Sequence, residues 1–141
     1  MVEKTKVVLD TNVWVSIFMK KVLGREFAKV FGRKDVEICV SDAILKEICR
    51  VLVYPKIRKL LKASNVTVKE IVHVILENSV LVRPSLKLNV IREDPEDNRV
   101  LGCAVYVNAR FIVSVDKHLL NLKKYDDIVI ITPKEFLERV G

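Results

Sequence analysis

Short apolar runs rich in β-branched residues alternate with segments of helical periodicity along the chain, and this alternation restricts the fold more than any other feature. The runs Lys6–Leu9, Val36–Val40 and Ile128–Ile131 have the length of buried strands. Apolar residues at helical spacing follow the first of these runs, in 13–18 and 24–31. Strands that alternate with helices build a sheet covered on both faces. The sequence therefore predicts an α/β fold with a central, mainly parallel sheet between helices.

Turn and capping residues place the remaining elements. Pro55 interrupts one helical segment, and Thr67 with Glu70 forms a capping-box pattern at the start of another. Residues 85–93 have no clear periodicity and are predicted as a loop with some extended character. The remaining predicted strands are Val80–Val82 and Phe111–Val115, and the remaining predicted helices are 42–54, 57–63, 67–78, 94–108, 117–122 and 132–140.

Length and composition favour one soluble domain. A chain of 141 residues, half of them hydrophobic and 30% charged, can bury one core, so we expect a single domain over residues 1–141. No segment approaches the roughly 20 apolar residues that span a bilayer, and residues 1–9 resemble a strand rather than a signal peptide. The three cysteines lie among apolar neighbours without CxxC spacing. These features predict a cytoplasmic protein with reduced core thiols.

The charge balance is basic. The formal net charge is +7, from 25 Lys and Arg against 18 Asp and Glu. Phosphates attract such a surface and release counterions when they bind, so a polyanionic partner such as nucleic acid is one interpretation. The other is that many soluble domains are simply basic, and charge alone does not decide between them.

Two acids directly follow predicted strands. Asp10 comes after the first strand, and Asp116 comes after the strand Phe111–Val115. In an open α/β sheet the carboxyl ends of the strands form the binding edge, so both carboxylates are expected there. The alternative for each is an N-cap, because an Asp between a strand and a helix caps that helix well.

Two further acids lie on apolar helix faces. Glu47 shares its face with Ala43, Ile44 and Val51, and the residues three, four and seven positions after Asp97 are also apolar. A buried carboxylate is costly unless a cation meets it. Glu47 could instead reach solvent at the edge of this face, and Asp97 could serve the helix cap together with Asp94.

Taken together, four acids from four segments predict a metal site. Hard divalent cations such as Mg²⁺ and Mn²⁺ prefer oxygen ligands, and clustered carboxylates repel each other without one. A metal there could activate water and stabilise charge on a phosphoryl oxygen. An acidic metal site within a basic protein suits a phosphodiester substrate.

Three strings resemble the motifs of PIN domains. These are VVLDTNVWVS at 7–16, SDAILKEICRVL around Glu47, and DPEDNRVLGCAVYVNARFIVSVDKHLL at 94–120. The order and spacing of the motifs span nearly the whole chain. The resemblance extends to the VapC-type toxins of toxin–antitoxin pairs, although the chain does not match their commonest branch.

The resemblance implies a Rossmann-like, three-layer α/β/α sandwich and an Mg²⁺- or Mn²⁺-dependent ribonuclease. It assigns metal binding and catalysis to Asp10, Glu47, Asp97 and Asp116. It implies that Asn12 and Ser114 support the site by hydrogen bonding, and that Asp94 contributes at most indirectly. Trp14 stands where these motifs usually carry a smaller aliphatic residue.

The partners that the resemblance implies are RNA, an antitoxin protein and a second copy of the chain in a homodimer. The cations that flank the acidic motifs are candidates for binding the RNA backbone: Lys20, Lys21, Arg25, Lys117, Lys123 and Lys124. The main alternative is a PIN-like domain that binds RNA or protein without cutting. A haloacid-dehalogenase-type phosphatase is rejected, because its general acid would stand at Asn12. A Ser-His-Asp set is rejected as well.

Overall fold

Strands form where the sequence concentrates its β-branched residues, and helices form between them, as predicted. The computed structural model describes residues 3–85 and 95–140. Within those residues the strands are β1 (Thr5–Leu9), β2 (Val36–Ser41), β3 (Val80–Val82), β4 (Phe111–Val113), β5 (Lys124–Tyr125) and β6 (Ile128–Ile131). The helices are α1 (Thr11–Met19), α2 (Lys21–Phe31), α3 (Asp42–Leu52), α4 (Pro55–Ala63), α5 (Val68–Glu77), α6 (Pro95–Val107), α7 (Lys117–Leu122) and α8 (Pro133–Val140).

The strands pair in the order β3-β2-β1-β4-β6-β5, and each pair except β5 with β6 is parallel. From the central β1 the chain first adds strands on one side and then returns to add β4 and β6 on the other. The strand order therefore reverses between β1 and β4, where α/β sheets form their binding crevice. The predicted three-layer α/β/α fold with a mainly parallel sheet is confirmed.

The core lies on both faces of the central strands. Val7, Val8 and Leu9 of β1 are fully buried, as are Ile112 and Val113 of β4. This continuous burial is expected of parallel strands with helices on both sides. It fixes the ends of β1 and β4, and thereby the residues that follow them.

Trp14 packs α1 against α2. Its side chain is fully buried and stacks on Phe31, with ring centroids 5.8 Å apart. Among the described residues the indole Nε1 has no hydrogen-bond partner, and we have no physical explanation for that group. The unusual tryptophan therefore serves the core between the two helices.

Several predicted boundaries were wrong. β4 ends at Val113 rather than Val115, and Val115 lies beyond the strand with about half of its surface exposed. α4 begins at Pro55 rather than at Ile57, since proline fits the first position of a helix. The sequence did not predict β5, a two-residue strand too short to show periodicity. The predicted loop at 85–93 and the role of Asp94 lie mainly outside the described residues.

Within the described ranges, every helix is too short or too polar to cross a membrane.

Candidate metal-binding active site

Asp10 and Asp116 stand on either side of the point where the strand order reverses. Asp10 follows β1 and begins α1, and Asp116 follows β4 by three residues and begins α7. β1 and β4 are adjacent and parallel, with Leu9 opposite Val113. The two carboxylates thus lie at the same edge of the sheet, as the sequence predicted.

Each of these acids also caps its helix. Asp10 Oδ1 accepts a hydrogen bond from the backbone N–H of Val13 at 2.9 Å. Asp116 Oδ1 accepts one from the backbone N–H of His118 at 2.8 Å. Capping uses one oxygen of each carboxylate, so the capping interpretation and the metal interpretation are compatible. From the sequence alone the two had stood as alternatives.

Ser114 joins the two acids. Its hydroxyl donates a short hydrogen bond to Asp10 Oδ2 and accepts one from the backbone N–H of Asp116 at 2.9 Å. Ser114 is fully buried, which fixes the geometry of both bonds. The support role that the resemblance implied for Ser114 has a physical basis here. Asn12 lines the same cavity with an exposed side chain.

Burial raises the pKa of Asp10 above its ordinary value. Only 4% of the residue is exposed, and removal from water penalises the charged form. The hydrogen bonds from Ser114 and from the backbone of Val13 and Val115 lower the pKa but do not cancel this effect, and the charge of Asp116 raises it slightly. A cation beside Asp10 would relieve the penalty.

Glu47 and Asp97 come from helices that meet in front of the sheet. Glu47 lies on α3 and is 7% exposed, and Asp97 lies in the first turn of α6 and is 6% exposed. Their apolar neighbours Ile44, Ile48 and Leu101 are buried, which holds both acids inward. The prediction that they lie on the core faces of their helices is therefore confirmed, and neither simply reaches solvent.

All four predicted acids line one cavity of about 220 Å³, which we call the acid cavity. Its other polar lining includes Glu96 and Arg50, and Tyr54 forms part of its apolar side. Glu96 is nearly half exposed, and it contributes a fifth carboxylate to this cavity. Three buried acids and two partly exposed ones therefore face a single opening.

Arg50 partly balances this charge. One of its guanidinium nitrogens donates to Glu47 Oε1 at 2.8 Å and to Glu96 Oε1 at 2.6 Å. Glu47 raises the pKa of Arg50 most, and Glu96 raises it further. The guanidinium of Arg50 therefore stays charged. Sequence reasoning missed this residue, because its partner Glu96 is 46 positions away. The helical spacing from Glu47 was the only signal available.

A tighter group of ligand atoms lies within this site. Asp97, Asp116 and His118 each offer an atom, and these atoms all lie within 4.8 Å of one another. His118 Nδ1 is 3.9 Å from a carboxylate oxygen of Asp97 and from one of Asp116. The imidazole is about half exposed, and it borders the acids.

The donor set fits a hard divalent cation. Its atoms are mainly carboxylate oxygens, which Mg²⁺ and Mn²⁺ prefer, and burial of Asp10 favours a nearby positive charge. Asp10, Glu47, Asp97 and Asp116 would hold the ion. That role remains a prediction, whereas their convergence on one cavity is a structural fact.

The predicted RNA-binding cations lie elsewhere on the surface. Lys20, Lys21, Arg25 and Lys117 are all outside the buried core, and none lines the acid cavity. Access to solvent is necessary for contact with a nucleic-acid backbone but does not establish it. Their role remains a prediction.

The acid cavity lies at the switch point of a Rossmann-like sheet, where open α/β domains bind their ligands. A family model described as "PIN domain" matches residues 6–118, and the chain belongs to that family. PIN domains are generally metal-dependent nucleases, and members typically bind a divalent metal. The chain is also similar to the uncharacterized protein MJ1680 of Methanocaldococcus jannaschii, with 37% identity over 145 positions that cover 96% of this chain and 91% of the relative.

Proposed function

We propose that the protein is a divalent-metal-dependent endoribonuclease that hydrolyses RNA phosphodiester bonds. The observation that carries the proposal is the convergence of Asp10, Glu47, Asp97 and Asp116 on one solvent-open cavity. Three of these residues are less than 9% exposed, and burial of a carboxylate is costly unless a cation meets it, as Arg50 does for Glu47. Membership of the PIN family supports nuclease chemistry in general.

The residues of the cavity have distinct roles in this mechanism. Asp10, Glu47, Asp97 and Asp116 would hold a Mg²⁺ or Mn²⁺ ion, which would supply a lowered pKa for water and charge neutralisation at the scissile phosphate. Ser114 and the N-terminus of α1 hold Asp10 in one orientation, and the N-terminus of α7 does the same for Asp116. Water attacks phosphorus in line, its proton passes to a carboxylate, and the bond to the leaving sugar oxygen breaks.

The exposed ring of Tyr54 favours a single-stranded substrate over a duplex. It lines the acid cavity and remains 46% exposed, unlike most large apolar residues of the fold. RNA-binding proteins stack unpaired bases on such rings, which is possible only where the base is free of a duplex. Tyr54 is thus placed to hold a base next to the phosphate at the acids.

We further propose that this ribonuclease is the toxin of a toxin–antitoxin pair. It is supported by the similarity of the motifs at 7–16 and 94–120 to VapC-type toxins. An antitoxin protein and a second copy of the chain would then be partners. The test is growth arrest on expression of the chain and its relief by a protein encoded next to it. Unimpaired growth with an active nuclease would favour RNA processing instead.

The nuclease itself is tested with labelled single-stranded and structured RNAs, incubated with Mn²⁺, Mg²⁺ or EDTA. We expect cleavage that requires metal and is lost in Asp10→Asn. Asp127→Asn is the matched control, because Asp127 is an exposed acid outside the acid cavity. Metal-independent cleavage, or equal cleavage by Asp10→Asn, would contradict the proposal. Metal binding without cleavage of any RNA would favour the non-catalytic alternative.

A further inference from the structure

A second concavity adjoins the acid cavity, on the far side of the Glu47–Arg50 pair. It has a volume of about 360 Å³, and we call it the basic pocket. Glu47 and Arg50 belong to both concavities, so this ion pair is their common wall. The pocket is lined by Asp42, Ala43, Lys46, Glu47, Arg50 and Arg99.

The charge of the basic pocket contrasts with that of its neighbour. Among residues 3–85 and 95–140, three cations and two carboxylates line the basic pocket, whereas five carboxylates and one cation, Arg50, line the acid cavity. Glu47 is already paired with Arg50, and the other carboxylate, Asp42, accepts a hydrogen bond from the backbone N–H of Ala43 at 2.9 Å. The positive charge of the pocket is therefore only partly offset.

Lys46 and Arg99 are available for a ligand. Both are exposed, and among residues 3–85 and 95–140 neither forms an ion pair, although Asp42 stands one helical turn before Lys46. Lys46 comes from α3 and Arg99 from α6, so the two charges converge from separate helices. Two cations from separate helices that line one concavity suit an anionic ligand.

We propose that the basic pocket binds a backbone phosphate of the substrate strand, next to the phosphate that is cut. The inference rests on the proposed function, because it takes the occupant of the acid cavity to be a nucleic-acid strand. Lys46 and Arg99 bind the phosphate oxygens, and the strand crosses the Glu47–Arg50 wall between the two concavities. This contact sets the direction from which the strand enters, and it does not depend on base identity.

The test measures binding of a labelled single-stranded RNA to the full chain in EDTA, over a series of salt concentrations. We compare the wild type with the double variant Lys46→Gln/Arg99→Gln. The control is Arg58→Gln/Lys69→Gln, which removes the same charge from exposed positions outside both concavities. Loss of two phosphate contacts should make the slope of log K against log salt shallower by about 1.4, at roughly 0.7 per contact on a single strand. The control should change the slope by less than half as much.

Single-stranded DNA of the same sequence should lose affinity in parallel with RNA, because both carry the phosphate. Equal slopes for the double variant and its control would overturn the inference, as would a loss confined to RNA, which would assign the contact to the 2′-hydroxyl. Cleavage assays on the same proteins distinguish a failure of this inference from a failure of the proposed function. Metal-dependent cleavage by the wild type with an unchanged slope in the double variant would leave the proposed function standing. A wild type that neither binds nor cuts RNA would remove both.

Discussion

At the scale of single residues, the site depends on side chains that serve two purposes. A carboxylate has two oxygens and about four acceptor positions, so Asp10 can cap α1 with one oxygen and bond Ser114 with the other. The sequence located Asp10 and Asp116 correctly because both follow strands. It could not show that Ser114 connects them, since that contact with Asp10 spans 104 positions of the chain.

Asp10→Asn is expected to raise the melting temperature of the metal-free protein at neutral pH. Burial raises the pKa of Asp10, so the folded chain holds this proton more tightly than the unfolded chain. The cost of the charged form is therefore absent below the ordinary aspartate range and grows as pH rises through the raised pKa. Thermal unfolding in EDTA from pH 7 downwards should show the advantage of the variant shrink.

Metal should reverse the order of the two melting temperatures, so that the wild type is the more stable protein. An ion that binds only the folded wild type stabilises it by about 2.7 kcal/mol at a hundred times its Kd, and Asp10→Asn should gain much less. Asp127→Asn, the exposed control, should follow the wild type in both conditions. A destabilised Asp10→Asn in EDTA would show that the hydrogen bonds of the carboxylate outweigh the cost of its burial. Equal stabilisation of the wild type and Asp10→Asn by metal would contradict the assignment of Asp10 as a metal ligand.

Tyr54→Leu should raise the KM for RNA cleavage, because it removes the ring on which a base stacks. Stacking contributes about 1–3 kcal/mol per base, which corresponds to roughly 5- to 150-fold in affinity. Tyr54→Phe keeps the ring and should retain the wild-type KM. The two variants are compared by initial rates on one short RNA. Equal losses in both would assign the effect to the hydroxyl group instead of the ring.

At the scale of elements, the sequence predicted what depends on local periodicity. β1, β2 and β6 were found because a few consecutive β-branched residues identify a buried strand. A similar apolar run indicated β3, although its Val80 and Leu81 are exposed. β5 was missed because a strand of two residues shows no periodicity. It pairs with β6 through a hairpin in which Asp126 adopts a positive φ of 51°. The pairing of α3 with α6 through Arg50 and Glu96 also escaped prediction, because it depends on tertiary packing.

The packing of α1 on α2 gives a prediction at this scale. A Cβ atom on Gly24 would lie 2.6 Å from the carbonyl oxygen of Ile17, a backbone atom that cannot move alone. Gly24→Ala should therefore push the helices apart and cost about 1–3 kcal/mol in urea unfolding. At Gly32 the nearest atom is 3.8 Å away, so Gly32→Ala should be neutral or slightly stabilising. Equal effects of the two substitutions would contradict this view of the contact.

At the scale of the whole molecule, opposite charges are separated into neighbouring regions. The chain carries a net charge of +7, yet five carboxylates line the acid cavity at the carboxyl edge of the sheet. Parallel strands impose this concentration, because their ends bring residues distant in sequence to one edge. A basic surface attracts a polyanion, and a cation in the acid cavity would reduce the repulsion between its carboxylates and the phosphates.

The central claim is that the acid cavity is a metal site, and calorimetric titration with Mn²⁺ tests it most directly. We expect the wild type to bind Mn²⁺ and both Asp97→Asn and Asp116→Asn to lose most of the affinity. Glu96→Gln is the matched control, since Glu96 lines the same cavity but is nearly half exposed and is not one of the four predicted ligands. It should bind nearly as the wild type does. A wild type that binds no Mn²⁺, or aspartate variants that bind it equally well, would contradict the claim.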